Sequence, residues 1–192
     1  MSGQLPTSPV ARNANVASEQ NTIISVTTSG RVQARQIDGQ KFRMTLTYPP
    51  MTRAEFAPIK AFLMKQRSRL NTFTVIPPTI SNAQGTASGT PTGTASAGDT
   101  SITLGGTGTG TLKAGDYIKF ANHDKVYMVV EDQSDISTGT LTIEPPLRSA
   151  VSAQDITYDN VPFTVRQTND VQEFSIGTTN LFQYELDVLE SL

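Results

Sequence analysis

QKFRMTLTYPPMTRAEFAPIKAFLMKQRSRLNTFTVIPP, residues 40–78, reads as strand, helix, strand. Phe42, Met44, Leu46 and Tyr48 alternate with Lys41, Arg43, Thr45 and Thr47, the period of a half-buried strand. Pro49-Pro50 stops that strand, because proline cannot donate to a ladder. Thr52 and Glu55 have the spacing of a capping box, which starts a helix. Phe56, Ile59 and Leu63, with Phe62 at the margin, give the helix one apolar face; Lys60, Gln66, Arg67 and Arg69 lie elsewhere or end it. Pro58 falls past the first turn, where it removes a hydrogen bond. Either the helix has an irregular first turn, the reading preferred here, or it begins near Ala57 with Pro58 in its first position. Phe73-Thr-Val-Ile is extended again, and Pro77-Pro78 closes it.

Working outward, little else is helical. Residues 1–21 are polar and rich in Pro, Asn and Ser, which predicts an N-terminal arm too poor in apolar surface to order itself without a partner. Ile23, Ile24 and Val26 begin a strand, Gly30 marks a turn, and Val32 and Ala34 belong to a second strand. Asp38-Gly39 has the composition of a hairpin turn leading into the strand at Gln40. From Ser81 to Gly110 the composition shifts to Gly, Thr, Ser and Ala; Ser81–Pro91 reads as a flexible linker and Thr100–Leu104 as a short strand. Further short strands are predicted around Tyr117–Phe120, Val126–Glu131, Leu141–Ile143 and Ile156–Tyr158, the pattern of a small barrel or sandwich. After Pro162 longer strands return, around Phe163, Phe174 and Phe182–Val188. The fold class expected is mostly β: a β-sandwich with one packed α-helix, formed by residues 22–80 plus 162–192. A barrel-like β domain at 84–160 interrupts it, its ends meeting at the two proline junctions.

The 192 residues carry a net charge of −2, so there is no basic field to hold nucleic acid. With no cysteine, disulfides, thiolate zinc sites and a cysteine nucleophile are excluded. No apolar run approaches a membrane span, and the N-terminus lacks the signature of a signal peptide, so synthesis and retention in a cytoplasm are expected unless lysis or a particle carries the protein out.

The candidates for chemistry are few. His123 is the only imidazole and has no second His or Cys to work with; a solvated turn residue is expected. Asp116, Asp124, Glu131, Asp132 and Asp135 share a region, but their spacing fits turns rather than a calcium loop. The glycines of 105–110 lack the Lys-Ser/Thr of a phosphate loop. Lys65 to Arg69 is a basic helix end that complements the helix dipole. No active site, metal or cofactor is expected.

Two runs carry a family resemblance: Tyr48-Pro-Pro-Met-Thr-Arg-Ala-Glu-Phe with Ala61-Phe-Leu and Phe73-Thr-Val-Ile-Pro-Pro, and Ala114-Gly-Asp-Tyr-Ile-Lys-Phe with Lys125-Val-Tyr-Met-Val and Gly139-Thr-Leu-Thr-Ile-Glu-Pro-Pro-Leu-Arg. Over most of residues 30–190 the chain resembles tail-tip proteins of tailed bacteriophages, of the distal tail or tail-tube-initiator type. The resemblance implies a tail-tube fold in a homo-oligomeric ring, a hexamer, in the tail tip or baseplate of the virion, assembled in the host cytoplasm. Its partners would be copies of itself, the tail tube protein and the hub, with DNA only in passage and no membrane. The glycine- and threonine-rich stretch 85–110 departs from that pattern. A rival reading is a carbohydrate- or receptor-binding β module, for which Tyr117, Tyr127 and Tyr158 are the available aromatics.

Under the ring reading one set of charges stands out. Phe182, Tyr184, Leu186 and Val188 alternate with Gln183, Glu185 and Asp187, so the apolar face packs on the helix and the acidic face points to the channel or to a neighbouring subunit. Arg31, Arg35, Lys41 and Arg43 sit on the polar faces of other strands and are the candidate partners of Glu185 and Asp187 in an interface.

Overall fold

The computed structural model describes residues 3–177 and 180–192. In chain order the elements are β1 (Asn13–Val26), β2 (Val32–Thr47), α1 (Arg53–Gln66), β3 (Phe73–Val75), β4 (Pro91–Ala95), β5 (Ser101–Gly106) and β6 (Tyr117–Phe120). There follow β7 (Val126–Val129), β8 (Thr140–Glu144), β9 (Val151–Thr157), β10 (Phe163–Gln167), β11 (Ser175–Ile176), β12 (Phe182–Gln183) and β13 (Glu185–Glu190).

The 40–78 stretch folds as its pattern dictates. Thr52 and Glu55 form both halves of the capping box, the Thr52 amide donating to Glu55 Oε2 at 2.8 Å. The helix runs as one element from Arg53 through Pro58, so the expected single helix stands and the start near Ala57 does not. It ends at Arg67, which takes a left-handed conformation and donates its amide to the Met64 carbonyl. Phe56, Ile59 and Leu63 bury one face in a core shared with Phe42, Met44 and Leu46 of β2 and Leu186 and Val188 of β13, and Phe56 packs on the Phe182 and Tyr184 rings. Each such fully buried side chain stabilises by about 1.5–3 kcal/mol relative to exposure. The sheet beneath is antiparallel in the order β1-β2-β13-β10-β3. Strands from both ends of the chain therefore interleave in one layer.

Between β3 and β10 the chain closes a six-stranded antiparallel barrel, β4-β5-β8-β7-β6-β9. Its interior is filled by Ile102, Leu104, Ile118, Phe120, Tyr127, Val129, Leu141, Ile143 and Ile156, separate from the core under the sheet.

Three expectations need correction. Asp38-Gly39 is not a hairpin turn: β2 runs through it, and the register against β1 shifts there as a bulge that Gly39 accommodates with φ of 120°. The turn between β1 and β2 is the one expected at Gly30, where the Gly30 amide donates to the Thr27 carbonyl. Asn13–Asn21 is not a free polar arm but the first part of β1, and what orders it is β2 of the same chain. Ahead of it, the Leu5 amide donates to Thr74 and Leu5 is buried in the sheet core. Finally, the stretch from Ser81 to Pro91 is not a loose linker. The Gln84 amide donates to Asp116 Oδ1, Ser88 bridges Thr109, and Pro91 begins barrel strand β4. Composition misled here because glycine serves close approach rather than flexibility: a Cβ on Gly85 would run into the Thr111 carbonyl oxygen, and one on Gly89 would stand 2.7 Å from that of Thr107.

Candidate assembly surfaces

The sheet's outer face is polar. In register across it, Lys41 lies opposite Glu19, Asp187 opposite Thr45 and Glu185 opposite Thr47. Arg43 pairs with Glu19 at 3.1 Å, both side chains about half exposed, so the pair contributes under about 1 kcal/mol. Thr45 donates its hydroxyl to Asp187 at 2.6 Å. The structure thus gathers Lys41, Arg43, Glu185 and Asp187 on one face and satisfies Arg43 and Asp187 within the chain. Arg31 and Arg35 lie elsewhere, at the far end of β2. Glu185 is exposed at the opposite end of the same face.

Beyond Glu19 the β1–β2 ribbon leaves the body as an arm. Every residue from Ala17 to Gly39 is exposed. On β1 the alternation that turns Ala14 and Val16 toward the core continues through Thr22, Ile24 and Val26. The register sets Ile24 opposite Ala34 and Val26 opposite Val32, which makes four apolar residues on one face of the tip. Ile24, Val26 and Val32 are each at least 60 % exposed. The other face pairs Ile23 with Arg35.

At the opposite end of the sheet lies an open groove of about 760 Å³. Tyr48 and Tyr184, with ring centroids 6.3 Å apart, wall it with Phe174; Glu173 and Glu185 supply two carboxylates and Arg12 one cation. Burial and mutual proximity push Tyr48 up to about 12, and burial with Asp187 nearby does the same for Tyr184. Both rings stay neutral donors at physiological pH.

The barrel is seated on the sheet through a dry charged joint. Lys125, between β6 and β7, pairs with Glu190 at the end of β13; their side chains are 4 % and 0 % exposed. Lys125 also donates to Gln40 Oε1 at 2.6 Å and lies 4.5 Å over the Phe42 ring. Glu190 accepts the Val126 amide at 2.9 Å and the Phe42 amide at 3.1 Å. Burial pushes the Lys125 pKa down, and Glu190 pulls it back up. Lys119 donates to the Pro162 carbonyl and Thr164, while Phe42, Tyr117 and Phe163 pack edge to face, centroids 5.4–5.9 Å apart.

His123 is not the solvated turn residue expected. It is buried, its Nδ1 shares a hydrogen bond of 2.8 Å with Tyr127, and it stacks edge-on with Phe120. Burial lowers its pKa, with the Ser149 backbone and Asp124 acting the other way. Of the acidic residues, Asp116 and Asp135 serve turns, accepting the Lys113 and Ser137 amides. The others tie separate segments: Asp132 accepts the Ala114 amide, Asp124 the Thr164 hydroxyl and Glu131 the Thr142 hydroxyl, while Asp116 also accepts the Gln84 amide. Tyr127 and Tyr158 are buried, and Tyr117 is half-buried in the joint, so none of the three presents a ring for a sugar.

Residues 80–158 match the family model described as distal tail protein pb9, B domain. The matched span holds the whole six-stranded barrel, β4 to β9. No curated protein matches the chain. Over the barrel, the match supports the resemblance to phage distal tail proteins read from the sequence, and with it a structural role in a tail. No helix among the described residues is long and apolar enough to cross a membrane.

Proposed function

We propose that this chain, whose barrel matches a domain of a phage distal tail protein, forms a closed ring at the tail tip. The ring is homo-oligomeric, of six copies, and connects the tail tube to the hub or baseplate around the DNA channel. The division of labour is a ring-forming part, residues 22–80 plus 162–192, and a barrel, 84–160, held on the outside of the ring. The barrel there meets neighbouring tail components; the role is mechanical, not catalytic.

The observation that carries this reading is the sheet. One face is buried under α1, the other is an uncovered polar face whose charges largely cancel within the chain. A wall beside moving DNA should not bind phosphates, because contacts with a basic surface are strengthened by counterion release. Arg43 neutralised by Glu19 and Asp187 engaged by Thr45 suit that wall. Arg31, Arg35 and Glu185 lie at the ends of the sheet and suit contacts between copies. Sedimentation of the isolated chain across a concentration series tests the ring. A discrete assembly of about six chain masses is expected; a monomer at every concentration contradicts it.

A further inference from the structure

The described residues with large exposed apolar side chains fall mainly into two groups. One is the arm, with Ile23, Ile24, Val26, Val32 and Ile37; the other is the corner formed by α1 and the segment around β11, with Met64, Leu70, Val171, Phe174 and Ile176. A two-stranded ribbon is marginal in water by itself. The arm's apolar face is the core face of the sheet extended beyond its core. Something outside this chain must cover it.

We propose that the tip of the arm of one copy seats in the groove beside Tyr48 and Tyr184 of a second copy, with Arg31 and Arg35 meeting Glu173 and Glu185. This deepens the ring reading and rests on it. Three observations favour that occupant. The groove has the complementary sign: its lining includes two carboxylates against the single cation Arg12, while the tip offers two guanidinium groups. Such opposite charges steer association and fix register. The second apolar recess, about 500 Å³ beside Phe56 and Met64, is lined by Arg53 and Lys60 and would repel the same tip. The placement is head to tail: Val32 and Tyr48 flank the two ends of β2, so arm and groove lie at opposite ends of one strand, roughly 50 Å apart at 3.3 Å per residue. A contact between different patches of identical chains is heterologous, and it makes a ring when the rotation closes.

The cysteine-free chain makes the test clean. One copy carries Val32→Cys at the tip, another Ser175→Cys in the groove, both exposed positions. Mixed and mildly oxidised, they should give cross-linked pairs, and a chain carrying both should give a covalent ladder; Met64→Cys in place of Ser175→Cys should not. Independently of cross-linking, Arg31→Glu with Arg35→Glu should weaken self-association at least tenfold, and Glu173→Arg with Glu185→Arg should restore it. Rings of full mass with neither the cross-link nor the charge rescue would overturn this docking while leaving the ring reading intact. Monomers in the unmodified chain would overturn both.

Discussion

Lys125 of the barrel and Glu190 of the last sheet strand form an ion pair buried on both sides, with Gln40 and two backbone amides completing its hydrogen bonds. The pair ties the matched barrel to the sheet from which the ring is proposed to be built. Its geometry makes the barrel's orientation a property of the fold rather than of a hinge.

Removing one partner of such a pair leaves an uncompensated buried charge, which costs about 3–5 kcal/mol. Lys125→Met should lower the urea midpoint of unfolding by that equivalent. Lys125→Met with Glu190→Gln should recover much of the loss, because the charge is gone while an amide can still accept the Val126 or Phe42 N–H. Equal stability of single and double variants would mean the pair is solvated.

The two halves should differ in autonomy. The barrel closes on its own core, and among the described residues a small set at the joint, chiefly Tyr117, Lys119, Asp124, Lys125 and Val126, turns to the sheet. Residues 80–158 alone should therefore melt cooperatively. The sheet half, with 84–160 replaced by a short linker, loses Val126 and uncovers Phe42 and Phe163. It should fold with lower stability, read by circular dichroism. A stable sheet half beside an unfolded barrel would reverse this account.

Gly93→Ala should destabilise the barrel by about 1–3 kcal/mol, because the added methyl meets Phe120 at 2.7 Å and Ile102 at 2.9 Å. A thermal melt unchanged from the parent chain would show that the barrel interior is looser than these distances imply.

Tyr48 and Tyr184 are held up to about 12, above the ordinary value of 10.0. A raised pKa favours the folded state while the group is protonated. That stability is complete below pH 10 and is lost as pH rises through about 12. Stability should fall across this window, and Tyr48→Phe or Tyr184→Phe should flatten the fall. An equally steep profile in both variants would assign alkaline unfolding to other groups.

Much of the fold was legible because local signals agreed. Thr52 and Glu55 marked the helix start, and the alternation of Phe42 to Tyr48 and of Tyr184 to Val188 marked two neighbouring strands. The misses share a cause: glycine and polar residues were read by composition, whereas tertiary contacts decided their role. Gly39 is a bulge, Gly93 a packing position, and Asn13–Asn21 an ordered strand because β2 supplies its partner. The joint did carry a signal. Glu190 is in phase with Leu186 and Val188, and Gln40 with Phe42 and Met44, so period two already put both polar groups on the core side. The groove carried none, since its walls come from segments far apart in sequence.

A cryo-electron microscopy map of the intact tail should show a closed ring of this chain at the tip, with Arg43, Thr45 and Asp187 on the channel wall and the barrels outside. Density placing the chain away from the channel, or as isolated copies on a fibre, would contradict it.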